Sequence, residues 1–138
     1  QMLSKYGYPI WAIEDNERGK EVIRAAEDNI FFPTGQLYRG TTRTKTRHQG
    51  WHTGSDNRWL LWGQLKAAVK ARQLLVPNED GLDQFFAVQR NPDNLGYDEA
   101  MGGGNDDYPM AVAIAWQMRN HVYSWNAEED APRLARRF

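Results

Sequence analysis

The chain has 138 residues, enough to bury one hydrophobic core and too few for two ordinary domains. Hydrophobic residues make up 41% and charged residues 25%, which excludes the disordered and fibrous classes. Seventeen basic residues against eighteen acidic ones leave a formal net charge of -1, so binding to nucleic acid or anionic membrane requires a local patch. The absence of cysteine excludes disulfides, thiolate metal sites and thiol catalysis, and fits a reducing compartment. The longest apolar run, Met110 to Trp116, falls short of the roughly 18 residues of a membrane span. The residues after Gln1 form neither a basic nor an apolar leader region, so no signal peptide is expected, and a start at Gln suggests a trimmed chain.

In chain order, Pro9-Ile-Trp-Ala-Ile13 reads as a short buried strand stopped by Glu14-Asp15-Asn16, which puts Glu14 at the strand's end. Asn16 or Asp15 then caps a helix through Gly19 to Ala26, with Val22, Ile23 and Ala26 on one face. Leu37 to Arg39 reads as a second strand. Arg39 to His52 is rich in Thr and basic residues and reads as an exposed hairpin or loop. Ser55 or Asp56 is expected to cap an amphipathic helix reaching about Ala71, with Trp59, Trp62, Leu65, Ala68 and Val69 facing the core.

Leu74 to Val76 reads as a strand stopped by Pro77, and Gly81 to Val88 as a shorter helix. A loop carrying Pro92, Gly96 and Gly102 to Gly104 follows. Asn105-Asp106-Asp107 precede Tyr108-Pro109 and an apolar helix from Met110 toward Ser124. Proline in a first turn sacrifices no hydrogen bond, because that N–H has no intrahelical partner. This helix is small and apolar on most faces, so packing against a sheet is expected. Ala127 to Phe138 reads as a loosely held tail with a basic end, Arg133, Arg136 and Arg137. Strands interleaved with helices point to one α/β domain over residues 1–126, followed by the tail 127–138.

Two acidic positions stand out: Glu14 at a strand end, and Asp106 with Asp107 at a helix start. Carboxylates fixed by rigid elements can converge on Mg²⁺ or Mn²⁺, which prefer hard oxygen ligands. Two such ions can activate water and stabilise the leaving oxygen in phosphodiester cleavage. The competing explanation for Asp106 and Asp107 is helix capping, a commoner use of aspartate at that position. His48 and His52 are four residues apart, a metal-binding spacing only on a helix, and their segment reads as strand or loop. Gly102 to Gly104 lacks the Lys-Ser/Thr of a phosphate loop, so no ATPase is encoded.

The run Ile13-Glu-Asp-Asn-Glu-Arg-Gly19, followed by Val22-Ile23 and Leu37-Tyr38, resembles the motif of bacteriophage large terminase subunits in which a strand-end Glu precedes Asn, Gly and a helix. Gly104-Asn-Asp-Asp-Tyr-Pro-Met-Ala-Val-Ala-Ile-Ala115 is similar to that family's closing Asp-Asp motif. Gly50-Trp-His-Thr53, Asn57-Arg58, Leu74 to Val76 and Leu82 to Phe86 follow the family's order between them, so the resemblance covers nearly the whole chain.

The resemblance implies an RNase H-like α/β fold, a mixed sheet flanked by helices, forming the C-terminal nuclease domain of a packaging motor. It implies endonuclease cutting of concatemeric double-stranded DNA by a two-metal mechanism with Mg²⁺ or Mn²⁺. Glu14 is then the middle acidic ligand and Asp106 or Asp107 the last, with Asp107 favoured and the other capping or supporting it. The family's first catalytic Asp lies upstream of its Glu motif, and none of the residues before Glu14 is Asp. The resemblance therefore implies that the first strand is missing and that the chain alone cuts poorly. Arg39, Arg43, Lys45, Arg47, His48 and Arg58 are the candidate DNA contacts. Partners implied by resemblance are the terminase ATPase domain, the small subunit and the portal protein, in the host cytoplasm and away from membrane. The competing reading is a non-catalytic module that docks DNA or a portal-like protein through the basic segment.

Overall fold

A computed structural model describes residues 9–29, 36–41, 47–54, 57–90, 98–100 and 105–121. Among them the order is α1 (Glu17–Asp28), β1 (Arg39–Thr41), β2 (Arg47–Gln49), α2 (Arg58–Lys70), α3 (Glu79–Ala87), β3 (Val88–Arg90), β4 (Asp98–Ala100) and α4 (Asp107–Met118). The chain mixes helices with a few short strands. The described strands form two separate antiparallel pairs, β1 with β2 and β3 with β4. The backbone divides into two compact units, one of Gln1–His52 with Gln117–Phe138 and one of Thr53–Trp116.

In the first unit, residues 11–15 are extended and held through single parallel bridges, Trp11 to Leu37 and Glu14 to Trp51, rather than through a continuous ladder. Trp11 N–H donates to the Gln36 carbonyl at 3.2 Å, and Tyr38 N–H to the Trp11 carbonyl at 2.8 Å. Further along, Trp51 N–H donates to the Ile13 carbonyl at 2.7 Å, and Asp15 N–H to the Trp51 carbonyl at 2.6 Å. Gly50 makes this pairing possible. Its φ of +83° is a region that favours glycine, and a Cβ there would stand 2.5 Å from the Ile13 carbonyl oxygen.

Helix α1 begins where its capping residue ends the strand. Asn16 is extended and its side-chain oxygen accepts from Gly19 N–H at 2.7 Å, satisfying one of the unpaired amides of the first turn. Gly19, Ile23 and Ala26 form the buried stripe, whereas Val22, expected on that face, is 54% exposed. Gln49 Nε2 at the end of β2 donates to Glu27 Oε1 on α1.

In the second unit, α2 buries Leu61, Trp62, Leu65 and Ala68, a stripe at steps of one, three and four. Trp59 and Val69 were expected there, but the stripe is rotated toward Leu61 and leaves them 58% and 44% exposed. The N-cap position belongs to Asn57 rather than to Ser55 or Asp56, which lie outside the described residues. Asn57 does not cap with its side chain; that oxygen accepts from Gly54 N–H at 2.9 Å and closes the preceding turn. Helix α2 ends in a Schellman motif. Gln73 N–H reaches the Ala68 carbonyl and Arg72 N–H the Val69 carbonyl, with Arg72 at φ 56°.

The expected strand at Leu74 to Val76 is not formed; residues 73–78 carry no regular element, and Leu75 is 87% exposed. The interval is consumed at both ends. The Schellman turn uses Gln73, and Asn78 caps α3 by accepting from Gly81 N–H at 2.9 Å. The region read as one loop after Val88 contains the β3–β4 pair, with Val88 opposite Ala100. Helix α4 starts with Pro109 in its first turn, as its sequence requires, and ends at Met118, short of Ser124; a turn runs on to His121. Pro109, Met110, Ala113 and Ile114 are buried while Ala111 and Ala115 are exposed, so α4 packs on one side and carries small apolar residues on the other. The tail 127–138 lies outside the described residues. No helix among the described residues is long and apolar enough to cross a membrane.

Candidate functional site

Glu14 sits half-buried at the end of the extended segment, where the chain turns into α1. Asn16 serves two purposes at this corner: its oxygen caps α1, and its Nδ2 donates to Glu14 Oε2 at 3.1 Å. The capping residue thereby holds the carboxylate without neutralising it, because an amide brings no charge. Gly19 is pressed against the same corner. A Cβ at Gly19 would overlap the Glu14 carbonyl oxygen, so only glycine lets the first turn of α1 lie on the strand end.

Asp15, which the sequence offered only as an alternative cap, has a nearly buried side chain with 11% exposure. Its carboxylate lies 3.8 Å from Lys20 Nζ and 4.0 Å from His52 Nδ1. The adjacent acids are thus differently placed, Asp15 between two basic groups and Glu14 beside an amide. The signal for Asp15 was its neighbour at i+5, Lys20, one turn into α1.

Across the same unit, Tyr38 stacks at a tilt on Trp51 with ring centroids 5.6 Å apart and on His121 at 4.7 Å. Burial raises its phenol above the ordinary value of 10.0.

In the second unit, Asp106 directly precedes α4, and its carbonyl accepts from Met110 N–H at 2.9 Å. Its carboxylate is engaged by Arg58, the first residue of α2, with Nη2 to Oδ2 at 2.5 Å and side chains 22% and 26% exposed. The guanidinium carbon lies 5.9 Å from the centre of the Trp62 ring, one helical turn along α2. Asp107 follows as an exposed residue in the first turn of α4, where the helix dipole favours a negative side chain.

Helix α3 fixes this same helix start. Gln84 Oε1 accepts from Tyr108 N–H at 3.0 Å, and Phe85 meets the Tyr108 ring edge-on at 6.2 Å. A Cβ on Gly81 would enter the Tyr108 ring. The sequence showed Pro109 as a helix start, but nothing in it revealed that Arg58, Gly81 and Gln84 would hold that start.

Of the remaining predicted positions, Arg39 is exposed on β1, and the backbones of Arg47 and His48 lie in β2 opposite Thr41 and Gly40. Arg43 and Lys45 lie outside the described residues. His48 is in a strand and His52 lies beyond the bridge at Trp51, so their spacing of four is not helical. Arg58, also expected to contact DNA, is paired with Asp106. No group of three or more His, Asp or Glu among the described residues is arranged to hold a metal ion. The chemistry of the expected donors still suits a hard divalent cation, since Glu14 and Asp107 are carboxylates fixed at the ends of regular elements. Comparison with known proteins finds no matching family profile, curated protein or solved structure.

Proposed function

We propose that the chain is a divalent-metal-dependent DNA endonuclease domain with an RNase H-like fold, of the terminase large-subunit kind. The observation that carries this reading is the corner at Glu14: an extended segment, an acid at its end, an asparagine cap that also orients that acid, and a glycine packed on the strand end. The resembling motif sets a strand-end Glu ahead of Asn, Gly and a helix, and the order of groups at this corner supports the resemblance.

Glu14 and Asp107 are the proposed ligands, presented respectively from a strand end and from the first turn of a helix, and Asp106 supports Asp107 from the preceding position. When bound, Mg²⁺ or Mn²⁺ supplies water activation and neutralises charge developing on the phosphodiester. The chain's own residues hold the carboxylates: Asn16 orients Glu14, and the contacts of α3 with Tyr108 fix the turn that carries Asp107. Arg39, exposed on β1, with Arg47 and His48 of β2 and with Arg43 and Lys45 between them in the sequence, is the proposed track for duplex phosphates. Double-stranded DNA, an ATPase domain, a small subunit and a portal protein in the host cytoplasm follow as proposed partners from the same resemblance.

The test is plasmid cleavage in Mn²⁺ by this chain and by a form extended upstream of Gln1. The extended form should nick and linearise the plasmid, and its Glu14→Gln variant should lose that activity. Equal cutting by the extended form and its Glu14→Gln variant refutes the assignment.

A further inference from the structure

We propose that the cavity between α2, the end of α3 and the start of α4 binds a small apolar carboxylate, whose body lies against Trp62 and Phe86 and whose charge is met by Lys66 and Lys70. The proposal does not depend on the nuclease reading and uses none of its residues.

The cavity has a volume of about 340 Å³, and its described walls all belong to the unit Thr53–Trp116. Helical spacing builds one wall: Trp62, Leu65, Lys66 and Val69 lie at steps of three and four along α2 and so share a side. Trp62 and Leu65 are core residues, 4% and 3% exposed, whereas Val69 and Phe86, 44% and 78% exposed, stand at the margin. Phe85, held edge-on against Tyr108, and the buried Pro109 add walls from α3 and α4. Walls drawn from packed elements are formed before a ligand arrives, as in small-molecule sites generally. Size sets the body of the ligand: at about 30 Å³ for each water-sized group, 340 Å³ holds roughly ten heavy atoms. Charge sets its head. Lys66 and Lys70, both exposed and one turn apart, line the cavity, and none of its described walls is Asp or Glu. A carboxylate therefore stays in water beside two ammonium groups while its apolar part is buried. The surface suits a docked protein less well. Leu60 and Val69 are both exposed but lie about 180° apart around α2, so the apolar groups of this helix do not form one flat face.

Calorimetric titration of the full chain with octanoate, octan-1-ol and butyrate, in the absence of metal and DNA, tests the proposal. Octanoate, which matches the volume, should saturate a single site, and the shorter butyrate should bind roughly 100-fold more weakly through its lost methylenes. Octan-1-ol keeps the body without the charge and should bind about 2- to 30-fold more weakly, the worth of two exposed charge pairs. Lys66→Met/Lys70→Met should weaken octanoate by that same factor and leave octan-1-ol within about twofold. Val69→Trp fills the cavity and should abolish octanoate binding, whereas Trp59→Ala, outside the described walls, should leave it unchanged. Thermal melts report whether each variant folds; should Val69→Trp unfold, Phe86→Ala decides, with an expected loss of about two- to tenfold. A wild type with no saturable octanoate site overturns the proposal, as does octan-1-ol bound as tightly as octanoate or octanoate bound equally by Val69→Trp. Self-association of the wild type that Val69→Trp abolishes would put a second copy over the cavity and overturn it too.

Discussion

Gly19, Gly63 and Gly81 all lie in helices, yet the same substitution to alanine should act differently at each. Removing helical glycine is worth about 0.5–1 kcal/mol in stability when nothing else changes. Gly63 in α2 tests that baseline, since it is exposed and an added Cβ meets nothing within 4 Å. Gly63→Ala should therefore stabilise by about 0.5–1 kcal/mol. At Gly19 the added carbon overlaps a backbone oxygen, that of Glu14, and comes within 3.2 Å of the capping Asn16 Oδ1. Overpacking of this kind costs about 1–3 kcal/mol and a disturbed cap about 1 more, so Gly19→Ala should destabilise by about 1–3 kcal/mol net. Gly81→Ala meets the Tyr108 ring, a side chain that can turn, and should cost less, about 0–2 kcal/mol. Urea unfolding followed by circular dichroism separates these, with the midpoint rising for Gly63→Ala and falling for Gly19→Ala. If Gly19→Ala stabilises as much as Gly63→Ala, α1 does not rest on the Glu14 carbonyl and the corner is wrongly described.

Replacing Arg72, held at φ 56°, with glycine should relieve left-handed strain and raise stability by about 0.5–1 kcal/mol in the same unfolding assay; a loss would mean that the Schellman turn does not limit α2. Asn16→Ala should cost about 1 kcal/mol through the lost cap, whereas Asn16→Ser restores a cap but is too short to reach Glu14. Asn16→Ser should therefore recover the melting temperature without recovering Mn²⁺-dependent cleavage, and recovery of both would show that Asn16 does not orient Glu14. The Tyr38 phenol is raised by burial, so the unfolded chain loses this proton first as pH increases. Its contribution is intact below about pH 10 and lost as pH climbs through the folded value. Tyr38→Phe should remove that part of the alkaline decline in urea midpoints, and an unchanged decline would exclude Tyr38 as its source.

Local signals were the legible part of this sequence. Asn16 before an amphipathic run and Pro109 behind two aspartates each mark a helix start by a mechanism confined to one turn, and both helices begin there. Glu14 at a strand end was legible for the same reason, as a polar stop after Pro9 to Ile13. What could not be read was set by distant partners. Leu74 to Val76 looks like a strand from side chains alone, but the Schellman turn and the Asn78 cap leave it no room. The exposure of Trp59 follows from which side of α2 meets the core, and a period of 3.6 fixes a stripe only to within a neighbouring residue. The Arg58–Asp106 pair joins residues 48 positions apart, which no local pattern records.

The central proposal is that Glu14, at the corner before α1, is a ligand of a divalent cation. Iron-directed cleavage tests it most directly: Fe²⁺ substituted for Mg²⁺ in the presence of ascorbate releases radicals that cut the backbone next to the ion, and the fragments are mapped by mass spectrometry. The proposal predicts cuts beside residue 14 that are lost in Glu14→Gln. No cut beside residue 14, or a pattern indifferent to Glu14→Gln, would contradict it.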